Sequence, residues 1–211
     1  MNASSDESNL DDPIGQTSFL ARRLIDGDRG VFQDLYDRLA PGLFAWTNVR
    51  IRGTPAACID PQDILQEVWL RALNKVASYD PARSFRSWMF GIAKNVLLES
   101  YRKASTETIG KGSNSSTKQE LEHFDCPASV TTISQRLAKD EAVQSFLAYV
   151  DKLDPEDRML VLYCGFEEYT IADAALRLGI SADAAMKRWQ RVRARLRDSG
   201  LGRLMALTGT D

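Results

Sequence analysis

The chain has 211 residues, 44 % of them apolar and 27 % charged, with a formal net charge of −2. That length suits one or two globular domains, and the composition excludes collagen-like, low-complexity and wholly disordered chains. No apolar run approaches the roughly 18 residues of a membrane span, and the first residues lack the basic-then-apolar pattern of a secretory signal, so no membrane insertion is expected. Cys58, Cys126 and Cys164 are odd in number and widely spaced. They fit neither a disulfide framework nor a paired-cysteine metal site, so no metal or cofactor is expected and the compartment is read as the reducing cytoplasm.

Residues 1–16 carry Asp6, Glu7, Asp11 and Asp12 and no Lys or Arg, a local −4, and read as a disordered acidic leader. From Ser18, the residues Phe19, Leu20, Leu24, Val31, Phe32, Leu35, Tyr36 and Leu39 recur at three- and four-residue steps, the spacing of one helix face. Gly27-Asp28 predicts a break between two helices. Pro41-Gly42 predicts another, after which Leu43, Phe44, Trp46, Val49 and Ile51 continue in a further helix to Gly53-Thr54-Pro55. Asp60-Pro61 joins an N-cap to a first-turn proline and opens a helix over 62–76. A polar connection, Ser78–Ser84, leads into a long helix, Phe85–Lys103, which closes a domain over 17–103.

Residues 104–134 include KGSNSSTKQE and few large apolar side chains, the composition of a flexible linker. Helical periodicity returns at about Gln135 with Leu137, Ala138, Val143, Phe146, Leu147 and Val150. Asp154-Pro155-Glu156 starts a helix to about Gly165, and Thr170–Leu178 and Ser181–Arg197 complete a second domain over 135–200. The tail, 201–211, is expected to be disordered. No strand-like alternation competes, so the expected fold is all-α: two helical domains joined by a linker.

Charge is concentrated in two places. Residues 83–103 carry a net +4 and residues 181–203 a net +5, which in an acidic chain suggests two contacts with a polyanion. In the second segment Thr170 caps a short helix, Gly179 ends it and Ser181 caps the next, with the small Ala175 allowing a close crossing. This is helix-turn-helix spacing, whose second helix enters a major groove. Ala185, Trp189, Val192 and Leu196 form its buried stripe; Lys187, Arg191 and Arg195 lie away from it and Arg188 on the flank. Base edges would be read near Ser181, Ala182, Asp183, Ala184 and Lys187, and phosphates by the later arginines.

Helix 62–76 buries Ile64, Leu65, Val68, Trp69, Ala72, Leu73 and Val76, leaving Asp63, Gln66, Glu67, Leu70 and Asn74 on its other side. A leucine among acids and amides there is either a stray apolar residue or part of a protein contact. Helix 85–103 is apolar on two sides, with Phe85, Trp88, Met89, Ile92 and Val96 on one and Phe90, Leu97 and Tyr101 on the other. Periodicity alone makes it a central helix packed on both faces, although aromatics interleaved with basic residues also suit unstacked bases. An enzyme is not expected, because the single histidine, His123, falls in the linker and no phosphate-loop, nucleophile-elbow or zinc-protease motif occurs. The pair Glu167-Glu168 reads as a solvated loop.

The segment DPQDILQEVWLRALNKVASYDPARSFRSWMFGIAKNVLLESYRK resembles region two of a bacterial RNA polymerase sigma factor of the extracytoplasmic-function type. LARRLIDGDRGVFQDLYDRLAPGLFAW is similar to the first helices of that domain, and LDPEDRMLVLYCGFEEYTIADAALRLGISADAAMKRWQRVRARLRD resembles region four. The resemblance implies a protein that binds core RNA polymerase, recruits it to promoter DNA and helps open the duplex. Asp63, Gln66, Glu67, Leu70 and Asn74 would dock on the clamp helices of the largest subunit, and region four would meet the flap. Ser78, Tyr79, Arg83, Phe85, Arg86 and Trp88 would capture a flipped base of the −10 element. Lys94, Asn95, Arg102 and Lys103 would hold the non-template single strand and adjacent duplex. Ser181, Ala182, Asp183, Ala184, Lys187, Arg188, Arg191 and Arg195 would read the −35 element, and an anti-sigma factor is an implied partner. The run Ala184-Ala185-Met186-Lys187-Arg188-Trp189 replaces the usual Thr-Val-Lys-Ser-Arg-Leu, which implies an altered promoter preference. The residues leave two alternatives, a stand-alone helix-turn-helix transcription regulator and an interaction protein that binds polymerase without reading promoters.

Overall fold

The computed structural model describes residues 13–52, 59–108 and 136–205; the expectations for residues 1–12, for the linker from 109 onward, and for Cys58, Cys126 and His123 lie outside them. Among the described residues the secondary structure is helical throughout. Four helices form an N-terminal bundle: α1 (Pro13–Ile25), α2 (Phe32–Ile51), α3 (Pro61–Lys75) and α4 (Phe85–Thr108). α1 begins inside the stretch read as leader, and α4 runs past Lys103 into the expected linker. The turn at Gly27-Asp28 forms as predicted, with Gly27 at φ 91° and the Asp28 carboxylate accepting from the Gly30 amide at 3.0 Å. Asp60 likewise caps α3, accepting from the Gln62 amide at 2.8 Å.

The predicted break at Pro41-Gly42 does not occur. α2 is one 20-residue helix with Pro41 inside it. An interior proline removes one helical hydrogen bond and costs roughly 3 kcal/mol. Leu39, Leu43 and Phe44 around it are 3 %, 1 % and 4 % exposed, and burying each such side chain gains roughly 1.5–3 kcal/mol. Packing on both sides of the proline therefore outweighs the local signal. The N-terminal core is anchored by Trp69 of α3, whose ring stacks on Tyr36 of α2 at 4.8 Å and meets Phe32 edge-on at 5.5 Å.

The C-terminal bundle comprises α5 (Glu141–Asp151), α6 (Pro155–Leu160), α7 (Ile171–Leu178) and α8 (Ala182–Asp198). α6 does not run on as an ordinary helix to Gly165; it widens into a π-helical turn, Val161–Phe166. The Glu167 amide donates to the Leu162 carbonyl at 3.0 Å, and Glu168 follows at φ 56°, in the left-handed region that side chains disfavour. After α8, a 3-10 turn at Leu201–Leu204 carries Leu204 and Met205, which are 8 % and 2 % exposed. The start of the tail is thus packed, contrary to the expected disorder, because it fills the seam between the bundles. Buried apolar side chains of both bundles join in one core, bridged by Phe90 of α4, whose ring lies 5.8 Å from that of Phe166.

Candidate nucleic-acid interface

The helix-turn-helix forms from the residues that foretold it. Thr170 Oγ1 accepts from the Asp173 amide at 3.1 Å and Ser181 Oγ from the Ala184 amide at 3.2 Å, satisfying helix-end donors that would otherwise go unpaired. Gly179 ends α7 at φ 68°, a conformation that glycine adopts without strain, and the Ile180 amide returns to the Ala175 carbonyl at 3.1 Å. Ala185, Trp189, Val192 and Leu196 are buried as one stripe. Ser181, Ala182, Asp183, Lys187, Arg191 and Arg195 are exposed, and Ala184 is half-buried. Arg188 differs from its companions. Its guanidinium donates to Asp157 at 2.8 Å and pairs with Glu156 at 2.7 Å, which raises its pKa above the ordinary arginine value. It ties α8 to α6 and does not stand on the open face.

At the N-terminal end of α4, three aromatic rings fasten the preceding loop. Tyr79 lies 5.0 Å from Phe85 and 5.5 Å from Trp88, and Phe85 lies 5.3 Å from Trp88. Tyr79 and Phe85 are 4 % and 2 % exposed, and the Tyr79 hydroxyl donates to the Arg83 carbonyl. These two rings support the loop and do not face solvent here. Burial pushes the Tyr79 hydroxyl pKa up. Trp88 is half-buried; Ser78, Arg83, Asn95, Arg102 and Lys103 are exposed.

On α3, Asp63 and Asn74 are exposed, whereas Gln66, Glu67 and Leu70 are half-buried. Leu70 is therefore less open than an isolated helix projection suggests. Glu67 accepts from Arg71 Nε at 2.6 Å, and Arg71 Nη2 reaches across to Glu99 of α4 at 2.7 Å. That hydrogen bond holds the Glu99 carboxyl below the ordinary carboxylate range and raises the Arg71 guanidinium.

The least expected feature lies where the bundles meet. Glu167 is not a solvated loop residue; its side chain is 1 % exposed. Trp46 Nε1 of α2 donates to its Oε1 at 2.8 Å, Arg50 Nε donates to the same oxygen at 3.2 Å, and Lys94 of α4 forms an ion pair with Oε2 at 2.8 Å. A buried carboxylate persists only with such partners. Beside it, Ser87 donates to Glu168, Arg86 Nε lies 3.9 Å from Glu168 Oε1, and Lys94 donates to the Tyr169 hydroxyl at 3.2 Å. Arg86 is 8 % exposed, and burial pushes its pKa down to about 10. Of the residues assigned to the −10 element from sequence, Arg86, expected at the flipped base, and Lys94, expected on the strand, are thus engaged by the other bundle. Arg50 and Tyr169 were not singled out, Trp46 was read only as an apolar helix position and Glu167-Glu168 as a solvated loop; no local motif marks their meeting, since Glu167 takes Trp46 and Arg50 from more than a hundred residues away in the chain.

Comparison with known families accounts for both halves. The family profile of sigma-70 region 2 matches residues 35–107, and that of sigma-70 region 4 matches residues 144–196. The chain belongs to the sigma-70 family. The RNA polymerase sigma factor NccH of Alcaligenes xylosoxydans xylosoxydans is 29 % identical over 84 % of this chain and 90 % of its own. The ECF RNA polymerase sigma factor EcfG of Rhodopseudomonas palustris is 29 % identical over 64 % and 67 %. These relatives set this sigma factor in the extracytoplasmic-function group, and it directs RNA polymerase to promoters. Among solved structures, CnrH in complex with the cytosolic domain of CnrY is 23 % identical, covering 87 % of this chain and 96 % of its own, with a TM-score of 0.42. Among the described residues of the sigma factor, no helix is long and apolar enough to cross a membrane.

Proposed function

We propose that the sigma factor divides promoter recognition between its bundles. α8 reads the −35 element through Ser181, Ala182, Asp183, Ala184 and Lys187, while Arg191 and Arg195 hold phosphates. The observation that carries this is the open basic face of α8, set on a turn whose two caps and glycine are all in register. Arg188 contributes by positioning α8 through Asp157 and Glu156.

The loop after α3 and the basic side of α4 serve the −10 element. Ser78, Arg83, Arg86 and Trp88 meet the flipped base on a loop stiffened by Tyr79 and Phe85, and Lys94, Asn95, Arg102 and Lys103 hold the non-template strand. Unstacking a base costs a few kcal/mol, so a prepared loop lowers the cost of melting. Asp63, Gln66, Glu67, Leu70 and Asn74 dock on the clamp helices of the largest polymerase subunit, and region four meets the flap. The chain catalyses nothing itself; the polymerase supplies the chemistry. It acts in the cytoplasm, and an anti-sigma protein that covers these docking surfaces is the regulator the family resemblance implies.

The test is run-off transcription by core RNA polymerase on genomic fragments, with and without the protein. Defined start sites that depend on it, aligned to reveal two spaced elements, are expected. Binding to core without any new transcript would refute the division of labour.

A further inference from the structure

The open face of α8 carries more than its basic residues. Asp183, Met186, Lys187 and Gln190 follow one another at i, i+3, i+4 and i+7, and all four are exposed, Met186 at 43 %. At about 100° per residue, Asp183, Lys187, Gln190 and the small Ala194 fall opposite the buried stripe of Ala185, Trp189, Val192 and Leu196. Met186 lies along one edge of that line, and Arg191 and Arg195 along the other. The spacing i, i+3, i+4, i+7 is the one by which the third helix of a homeodomain reads bases. A helix seated in the major groove by this face points Gln190 at base edges and turns the later arginines toward the phosphates.

The chemistry of the two side chains decides which bases they meet. Gln190 carries a donor and an acceptor side by side, and among the described residues its amide is held in no hydrogen bond. Arg188, by contrast, is committed to Asp157 and Glu156. Adenine offers the amide a matching pair in the major groove, the N7 acceptor beside the N6 donor. Guanine offers two acceptors there, which would leave the amide carbonyl facing O6 unpaired. Met186 has no donor; the apolar group that the groove presents to it is the thymine methyl, and its unbranched chain adapts to reach it. A lone exposed methionine needs no explanation. One set a turn before Gln190 on base-reading spacing has a partner in the groove. The two residues lie about 6 Å apart along the helix axis at roughly 1.5 Å per residue, which is about two base-pair steps of about 3.4 Å.

We propose that Gln190 and Met186 extend the base-reading line of α8: the Gln190 amide pairs with N6 and N7 of an adenine, and Met186 packs on the methyl of a thymine about two base pairs away. The upstream promoter element of this sigma factor carries A·T pairs at both places. The inference rests on the reading of α8 as the −35 helix and adds which bases it selects.

The test uses the full chain bound to core RNA polymerase and a library of promoter duplexes randomised over the upstream element, sequenced before and after binding. Both side chains are exposed, so their replacement should leave the circular dichroism unchanged. Wild type should enrich adenine at one position and thymine about two away. Gln190→Ala should lower the preference for adenine about tenfold at that position alone. Gln190→Glu should move it from adenine to cytosine, whose N4 amino group donates to a carboxylate. For Met186 the probe is the selected duplex with uracil in place of thymine, which lacks one methyl. Wild type should bind it about fourfold more weakly, and Met186→Ala should bind both duplexes equally. A loss spread evenly over all sequences in Gln190→Ala makes Gln190 a phosphate contact and overturns its assignment, as does a selected profile identical to wild type. A uracil penalty that persists in Met186→Ala overturns the methionine contact. If wild type itself selects no sequence in the element, the −35 reading of α8 falls, and this inference with it.

Discussion

A single methyl group tests the seating of the C-terminal turn. A Cβ on Gly42 would stand 2.7 Å from the Leu204 carbonyl oxygen and 3.7 Å from Arg86 Nη1. In an uncrowded helix, alanine stabilises relative to glycine by roughly 0.5–1 kcal/mol. Here the obstacle is a backbone oxygen that cannot rotate aside, and overpacking of a close contact costs roughly 1–3 kcal/mol. The net expectation for Gly42→Ala is a loss of about 1–2 kcal/mol, the clash exceeding the helix gain. Gly91 of α4 supplies the control, since its Cβ would meet nothing within 4 Å, and Gly91→Ala should stabilise by roughly 0.5–1 kcal/mol. Urea unfolding of both variants at constant slope measures the two values. Ending the chain after Ser199 should turn Gly42→Ala from destabilising to stabilising, a coupling read from the double-mutant cycle. If Gly42→Ala matched Gly91→Ala in the full chain, Leu204 would not be seated on α2.

Three further outcomes follow from the surfaces. Leu70→Arg should weaken binding to core polymerase at least tenfold, or about 1.4 kcal/mol, while leaving the circular dichroism and melting of the isolated protein unchanged; equal affinity would remove α3 from the docking face. Arg191→Ala should weaken promoter binding across sequences and reduce the salt slope by about one, and an unchanged slope in a filter-binding titration would exclude a phosphate contact there. Glu99 is held low by the Arg71 hydrogen bond, so the folded state favours its ionised form. That stability is present above the unfolded value near 4.3 and fades as pH falls through the lower folded value. Glu99→Gln should therefore be less stable than wild type at pH 7 and lose less on acidification, as measured by thermal unfolding between about pH 6 and 3.

The helix-turn-helix was legible because its determinants are local. Thr170, Gly179 and Ser181 each act within a few residues of themselves, and each does what its chemistry dictates. The apolar stripe of α3 was equally plain, since Trp69 and its neighbours repeat at helical spacing and are buried accordingly. Pro41-Gly42 misled because proline signals a break only when nothing distant outweighs it, and here Leu204 needs the bare Gly42 surface. Glu167-Glu168 misled for a related reason. Two adjacent acids belong in water unless cations meet them, and Arg50 and Lys94 arrive from far along the chain. Arg188 sat on the expected flank of α8, but its choice between DNA and Asp157 depends on where α6 lies. Tyr79 and Phe85 show the same limit: the family resemblance implied a place at a flipped base, while packing turned the rings onto each other.

The position of Leu204 and Met205 also orders events during synthesis. The N-terminal bundle is complete once Thr108 has been translated, yet Leu204, whose carbonyl presses on Gly42, follows far later in the chain. At the usual pace of elongation, the stretch from Thr108 to Met205 takes roughly 5–20 s to make. During that interval Trp46, Arg50, Arg86 and Lys94 belong to a nascent chain whose covering half does not yet exist. Every newly made molecule therefore presents this basic surface to the cell before it can fold it away.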